Sequence, residues 1–450
     1  MEYQQVLSEY AIKFQLHNAS EEVKRRAKLI ILDSITAIIH GNQSSHMLKL
    51  QEDISQNEAN KGYATIVGRQ ASINPQMAAF INGIAMVSEE MDEGNPIAKG
   101  HPSCHFFPSL LAYAETSHCN GRSFLESFIL AYEIATRAGA AITLRDDIHP
   151  HGNWGVIGAI FALGKLKNYH ASDYERGFYL SSSLPNVSLW QPVLEGHRLR
   201  DVYIGLNNMH SFLIDHLITA GFSSSPNAMK QIYGDGILGK RFQSEKLIEN
   251  LGVEYYLLKT YFKFYDFCRF CHSPMDGVIK LLKMETILPK DVKRVDIFTY
   301  SMAARLNNQN VKNPYAGKFS IPYAVASLFY PKESQNEERL NFTKKVFVHE
   351  DVNMTKLLPD QRDSRVVLKM VNQQQFTMTV SGASGDAHEV GLEQKVIEKS
   401  ERTLGKVLSC QRAKDLIEKI LSLEELEDIS TITELLRPAH QLLQNKKYCK

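Results

Sequence analysis

A chain of 450 residues with 44% apolar and 22% charged side chains has the make-up of a globular protein with a well-buried core, long enough for two or three domains or for one large domain with an insertion. Its formal net charge of +1, with no basic stripe in any segment, argues against a nucleic-acid footprint. The six cysteines (Cys104, Cys119, Cys268, Cys271, Cys410, Cys449) are sparse and read as reduced thiols; with no signal-peptide pattern and no apolar run near ~18 residues, a cytoplasmic protein with no membrane contact is expected.

Helical periodicity dominates the first half. Ser20-Glu21-Glu22 is an N-cap signature, and Val23, Ala27, Ile30, Ile31, Ile35 and Ile38 follow at helical spacing until Gly41. Phe124 to Ile142 is apolar on nearly all sides, which predicts a helix central to a bundle. Trp154 to Leu166, rich in Gly and Ala, predicts a helix that neighbouring backbones can approach closely, and Ser211 to Gly221 predicts another. The character changes near residue 260. Val292 to Tyr300, Lys345 to His349, Val366 to Val371 and Phe376 to Val380 read as strands, with helical pieces at Asp276–Met284 and Tyr323–Leu328 between them. From Glu393 the helical pattern returns in EQKVIEKSERTLGKVL, AKDLIEKILSL and ITELLRPAHQLL. The simplest account is a mainly α protein. A large all-helical domain is assembled from residues 1–260 and 393–450, and a smaller α+β domain, 261–392, is inserted into it.

Three segments carry candidate chemistry. Between Asn82 and Pro108, Glu89, Glu90, Asp92 and Glu93 are followed by a Gly-Asn-Pro break and then by His101 and His105. Acids beside histidines across a turn can hold an imidazole in one tautomer, an arrangement suited to proton transfer; the plain alternative is an acidic helix end and a loop. His149-Pro150-His151-Gly152-Asn153 precedes the Gly/Ala-rich helix, where the helix field favours a neutral imidazole; the alternative is a solvent-facing loop pair. Lys263, Arg269 and His272 surround Cys268-x-x-Cys271. With no second CxxC pair and no His-x₃-His partner, a cationic site for carboxylates is a better reading there than a metal site. Tyr323 follows Pro322 at a predicted helix entrance, where packing is the ordinary role. GxGxxG, GxxxxGK[ST] and GxSxG are all absent, so neither a nucleotide cofactor nor a nucleophile elbow is expected.

Taken in order, these blocks resemble the MmgE/PrpD family, which includes 2-methylcitrate dehydratase, cis-aconitate decarboxylase and iminodisuccinate epimerase. Asn82-Gly83 with EEMDEG is similar to NG…E-x-DD-G, and Gly100-His101-Pro102-Ser103 to G-H-P-G/S. His149-x-x-Gly152 is similar to H-x-x-G, and Lys263, Tyr265, Cys268, Arg269, His272 and Asp276 to a K-x-Y-P…C-R…H…D-A run. Gly317 to Tyr323 resembles A-K-F-S-I-P-Y, the most specific of the set. The resemblance covers nearly the whole chain. It implies a helical domain with a smaller lid domain, a homodimer, and an active site in the interdomain cleft that needs no cofactor or metal. By position it makes His101 and His149 the proton-transfer histidines and gives Lys263 and Tyr323 the substrate's carboxylates or developing charge. Glu90, Asp92 and Glu93 would orient the histidines or the substrate, with Arg269 and His272 adding to the carboxylate site.

The chain departs from the family pattern at several points. Met209 stands where some family decarboxylases carry a second lysine, with Glu195-Gly-His-Arg-Leu-Arg200 before it as a cationic segment. Glu93 replaces the second aspartate of the DD pair, Asn95 a His or Thr, and Asp266 a proline, while SGDAHEVGLEQ replaces a P-E-N-P-like stretch. The expectation is a lyase acting on a small di- or tricarboxylate, by dehydration or decarboxylation. An epimerase using the same site and a non-catalytic carboxylate-binding paralogue are the alternatives.

Overall fold

The computed structural model describes residues 2–57, 60–234, 236–332 and 336–438. The chain divides into two compact units: Met1–Trp190 with Leu199–Phe262 and Val390–Lys450, and Gln191–Arg198 with Lys263–Glu389.

The first unit is a helical bundle whose helix starts are legible in its caps. Ser20 accepts from the Val23 N–H to open Glu21–Gly41, Asn74 accepts from Met77 to open Pro75–Ser88, and Asn120 accepts from Ser123 to open Gly121–Ala141. Gly121–Ala141 is buried along almost its entire length, as its all-round apolarity predicts. The helix predicted at Ser211–Gly221 begins twelve residues earlier and spans Leu199–Thr219. Its polar positions Arg200, Asp201, Asn207 and Asn208 are buried and bonded inside the bundle, so the apolar period is masked. Pro75–Ser88 and Leu199–Thr219 cross almost backbone to backbone: a Cβ on Gly83 would stand 3.1 Å from the Gly205 Cα, and one on Gly205 would stand 2.7 Å from the Phe80 carbonyl. That close approach fixes where Pro75–Ser88 ends and the acidic segment begins.

The unit is not all-helical, which corrects the expectation. Two short antiparallel pairs are present: β1 (Lys61–Thr65) with β2 (Ser72–Ile73), and β3 (Ile142–Leu144) with β4 (Gly239–Phe242). The run from Phe124 through Ile142 contains the reason. The backbone turns extended at Ile142, where the chain leaves the helix and pairs with Phe242. Cys104, Cys119, Cys268 and Cys271 are free thiols. Cys449, and the part of the predicted C-terminal helix from Ala439 onward, lie outside the described residues.

The second unit is built on a four-stranded sheet in the order β6 (Val346–Glu350), β5 (Val292–Thr299), β7 (Ser364–Met370), β8 (Gln375–Val380). β5 and β6 run parallel, and the other pairs are antiparallel. Val295, Ile297, Val366 and Leu368 turn inward on Met275, Val278, Leu281 and Phe329 of the helices His272–Met284 and Ile321–Phe329. Among the described residues no helix is long and apolar enough to cross a membrane.

In the first unit, the helix Leu392–Leu404, the first of the C-terminal segment, carries Lys399 into the core. Its ammonium donates to the Asp33 carboxylate and to the Met91 carbonyl, both at 2.6 Å. Breaking a buried pair leaves an uncompensated charge, so Lys399→Ala is expected to cost about 3–5 kcal/mol in urea unfolding. A loss below about 1 kcal/mol would show that this pair does not hold the C-terminal segment in place.

Candidate active site

The acidic segment leaves Pro75–Ser88 through Glu89 and Glu90, the latter at a φ of 57°. The helix crossing holds this exit from one side, and Lys399 holds Met91 from the other. Gly94 and Tyr261 exchange backbone hydrogen bonds at 3.1 and 2.9 Å. Asn95 bridges to Gly100, accepts on its side-chain oxygen from Ile97 and Ala98, and donates to the Tyr256 carbonyl. Asn95, a departure from the family pattern, is therefore the keystone of the turn that delivers His101.

His101 is clamped through Nδ1, which lies 2.5 Å from the Glu93 carbonyl and 3.0 Å from Asp92 Oδ2. A carbonyl can only accept, so the Glu93 carbonyl places the ring proton on Nδ1 with the Asp92 charge beside it, and in the neutral ring Nε2 carries the lone pair. The Glu93 side chain is itself fully buried. It accepts from the Ser103 N–H at 2.9 Å, the Ser103 hydroxyl at 2.5 Å and the Tyr132 hydroxyl at 2.7 Å, and Thr260 supports Tyr132 in turn at 2.7 Å. Burial pushes its carboxyl up to about 7, opposed by the Ser103 and Tyr132 hydrogen bonds and by His101. Glu90 pairs with Arg200, which also donates to Asp201 at 3.0 Å and to the Val87 carbonyl at 2.6 Å. All three side chains are buried, so Arg200 is the cation that compensates this corner of the acidic cluster.

His149 is clamped the opposite way. Its Nδ1 accepts from the His151 N–H at 3.2 Å, which leaves Nε2 to carry the ring proton. Asn153 and the Ser188 hydroxyl both bond the His149 carbonyl, and Ser188 also reaches the His151 carbonyl. Gly152 turns the chain at a φ of +83°, with Tyr203 where a Cβ would stand. The loop is thus a rigid holder, buried rather than solvent-facing.

The two segments converge within the first unit. The ring of His151 lies 5.2 Å from His101, 4.5 Å from His149 and 6.1 Å from His105, nearly perpendicular to each. Both tryptophans of the chain close the group: Trp190 packs on His149 at 4.2 Å and Trp154 on His105 at 4.7 Å. His105 and His151 are fully enclosed and, among the described residues, neither ring has a hydrogen-bond partner. Burial drives the His105 imidazole down to about 3, and burial with the nearby Arg200 charge holds His151 well below its ordinary range. Sequence reasoning singled out His101 and His149. It missed His151 and Arg200, whose only advance signals were the repeated histidine of HPHG and the cationic run ending at Arg200.

The remaining predicted site residues belong to the second unit. Lys263 is fully buried. Tyr323 enters the helix Ile321–Phe329 behind Pro322, its N–H accepted by the Ser320 hydroxyl at 3.1 Å, and its own hydroxyl accepts from Arg339 at 3.0 Å. Arg269 donates to the Ser384 and Ala383 carbonyls and pairs with Asp386. His272 lies 3.3 Å from Arg269 through Nδ1 and donates to the Phe267 carbonyl through Nε2. As placed, Arg269 and His272 hold the loop 382–389, together with Asp276, which takes the Tyr265 hydroxyl and the Ser384 N–H.

The helical unit thus buries two clamped histidines beside an acidic cluster. The MmgE/PrpD N-terminal domain matches residues 5–181 and the MmgE/PrpD C-terminal domain residues 265–425, and the chain belongs to this family. It is 21% identical to a cis-aconitate decarboxylase of Aspergillus terreus over 92% of both chains. It is 23% identical to the cis-aconitate decarboxylase-like protein oryM of Aspergillus oryzae, over 58% of this chain and 57% of that protein.

His105 gives a stability test. The unfolded imidazole takes up a proton below about 6.5, whereas the folded ring resists until about 3, so the folded state loses stability as pH falls below 6.5. His105→Phe removes that loss. Its stability relative to wild type is expected to rise by about 2 kcal/mol between pH 6.5 and 5 in urea unfolding, whereas a gap that does not change with pH contradicts the assignment.

Proposed function

We propose that the protein is a lyase that dehydrates or decarboxylates a small di- or tricarboxylate by moving a proton at a carbon α to a carboxylate. The observation that carries this reading is the opposite clamping of the two histidines. His101 offers a lone pair at Nε2 and His149 a proton at Nε2, the complementary pair that a proton-transfer step requires. In a dehydration His101 would take the α-proton and the C–H electrons would pass into the carboxylate as an enediolate. The β-hydroxyl would then leave as water with the His149 proton. Lys263 and Tyr323 would stabilise the carboxylate charge, as family position implies. Glu90, Asp92 and Glu93 then act as supports: the Glu93 carbonyl fixes the His101 tautomer, the Asp92 charge stands beside that ring nitrogen, and Glu90 balances Arg200. The proposal includes a cytoplasmic homodimer, which sedimentation of the purified chain would check.

A second reading rests on the same pair. An epimerase also needs one protonated and one unprotonated group, so the clamps serve it equally well. The two are separated by incubating 2-methylcitrate, citrate, cis-aconitate and simple dicarboxylates in D₂O and following them by NMR. Lyase activity is expected as loss of water or CO₂, with His101→Ala lowering kcat by about 10²–10⁴-fold. Deuterium wash-in at the α-carbon without elimination would select the epimerase. No turnover of any member, with His101→Ala indistinguishable from wild type, would contradict both.

A further inference from the structure

His151 is 1% exposed and, among the described residues, neither ring nitrogen has a hydrogen-bond partner, although it stands between the two clamped histidines. An imidazole left unsatisfied in a protein interior is costly, and the surrounding loop makes no move to relieve it. Instead the loop is locked: Ser188 bonds the carbonyls on both sides of Pro150-His151, Gly152 turns against Tyr203, and Asn186 donates to the Gly152 carbonyl at 3.0 Å. His105, also unpartnered, differs in setting. Its ring lies tilted on Trp154 and directly over Gly155, where a Cβ would stand 2.1 Å away, so it is closed in by packing. His151 meets its neighbours perpendicularly and is the common node of His101, His105 and His149.

The charged and titratable groups around His151 decide what it can bind. Arg200 and the three other histidines all disfavour a positive charge on it, so it stays a neutral ring with one donor and one acceptor. A neutral imidazole is a poor counter-ion for a carboxylate but a matched partner for a hydroxyl, which both gives and takes a hydrogen bond.

We propose that His151 is a substrate-contacting residue that selects a hydroxylated carboxylate, bonding the hydroxyl on the carbon next to the one deprotonated between His101 and His149. This rests on the carboxylate-lyase reading above and narrows it, since a hydroxyl in that position is the leaving group of a dehydration. A site built to bond a hydroxyl discriminates against the analogue lacking it, because the buried polar group is then left unpaired.

Two matched pairs test this on the full chain: citrate against tricarballylate, and malate against succinate, each differing by one hydroxyl. Binding is read by the fluorescence of Trp154 and Trp190, which pack on His105 and His149. In the wild-type protein at least one hydroxylated member is expected to bind about tenfold or more tighter than its partner. In His151→Phe that ratio should collapse towards one, with His151→Gln retaining part of it. The wild-type ratio tests the proposal even if a variant does not fold. Equal binding within both pairs, or a ratio unchanged in His151→Phe, would overturn the role of His151 while leaving the carboxylate reading standing. Absence of binding by all four acids would overturn both.

Discussion

The Glu93 carbonyl and the Asp92 charge set against one nitrogen of His101 are the constraint on which the candidate site depends. The Asp92 carboxylate and the Glu93 carbonyl can both face Nδ1 only if the chain between them is held still. That requirement accounts for much of the surrounding structure. Lys399 pins the Met91 carbonyl, the Asn95 turn pins the far end, and the Glu93 carboxylate takes three hydrogen bonds from Ser103 and Tyr132. Lys399 and Tyr132 come from distant stretches of sequence, so the geometry of one imidazole is a property of the folded unit.

Burying so many ionisable groups is unfavourable unless each is paired or kept neutral. The first unit uses both solutions. Glu90 and Asp201 share Arg200, and Asp33 shares Lys399, whereas His105 and His151 are held neutral by burial. The outcome is a small enclosed region in which imidazoles differ in role because their surroundings differ. His101 and His149 have opposite tautomers set by hydrogen bonds, His105 is packing, and His151 retains hydrogen-bonding capacity that no group among the described residues uses. In the second unit the same logic commits Arg269 to Asp386 and two carbonyls, which makes it the anchor of the loop 382–389.

Much of this was legible in the sequence where the signal is local. The caps at Ser20 and the strand runs at Val292 and Val366 are written in neighbouring residues, and so is the rule that Tyr323 follows Pro322 into a helix. The motif blocks also pointed to His101 and His149 by position. What was not legible depends on contacts between distant segments. The early start of Leu199–Thr219 is hidden because its polar residues are bonded inside the bundle, and β3 finds β4 almost one hundred residues later. Asn95 stood out only as a departure from the family pattern, and its part in forming the turn depends on Tyr256, far away in the sequence. The carboxylates looked like candidates for substrate contact, yet Glu90 and Glu93 are saturated by Arg200, Ser103 and Tyr132, partners that no spacing rule identifies.

The central claim is that His101 and His149 are held in opposite tautomers. Long-range ¹H–¹⁵N correlation spectra of the imidazoles, assigned with His101→Ala and His149→Ala, measure this directly. At a pH where both rings are neutral, His101 should report a proton on Nδ1 and His149 a proton on Nε2. Finding both rings in the same tautomer, or both exchanging freely between the two, would contradict the account.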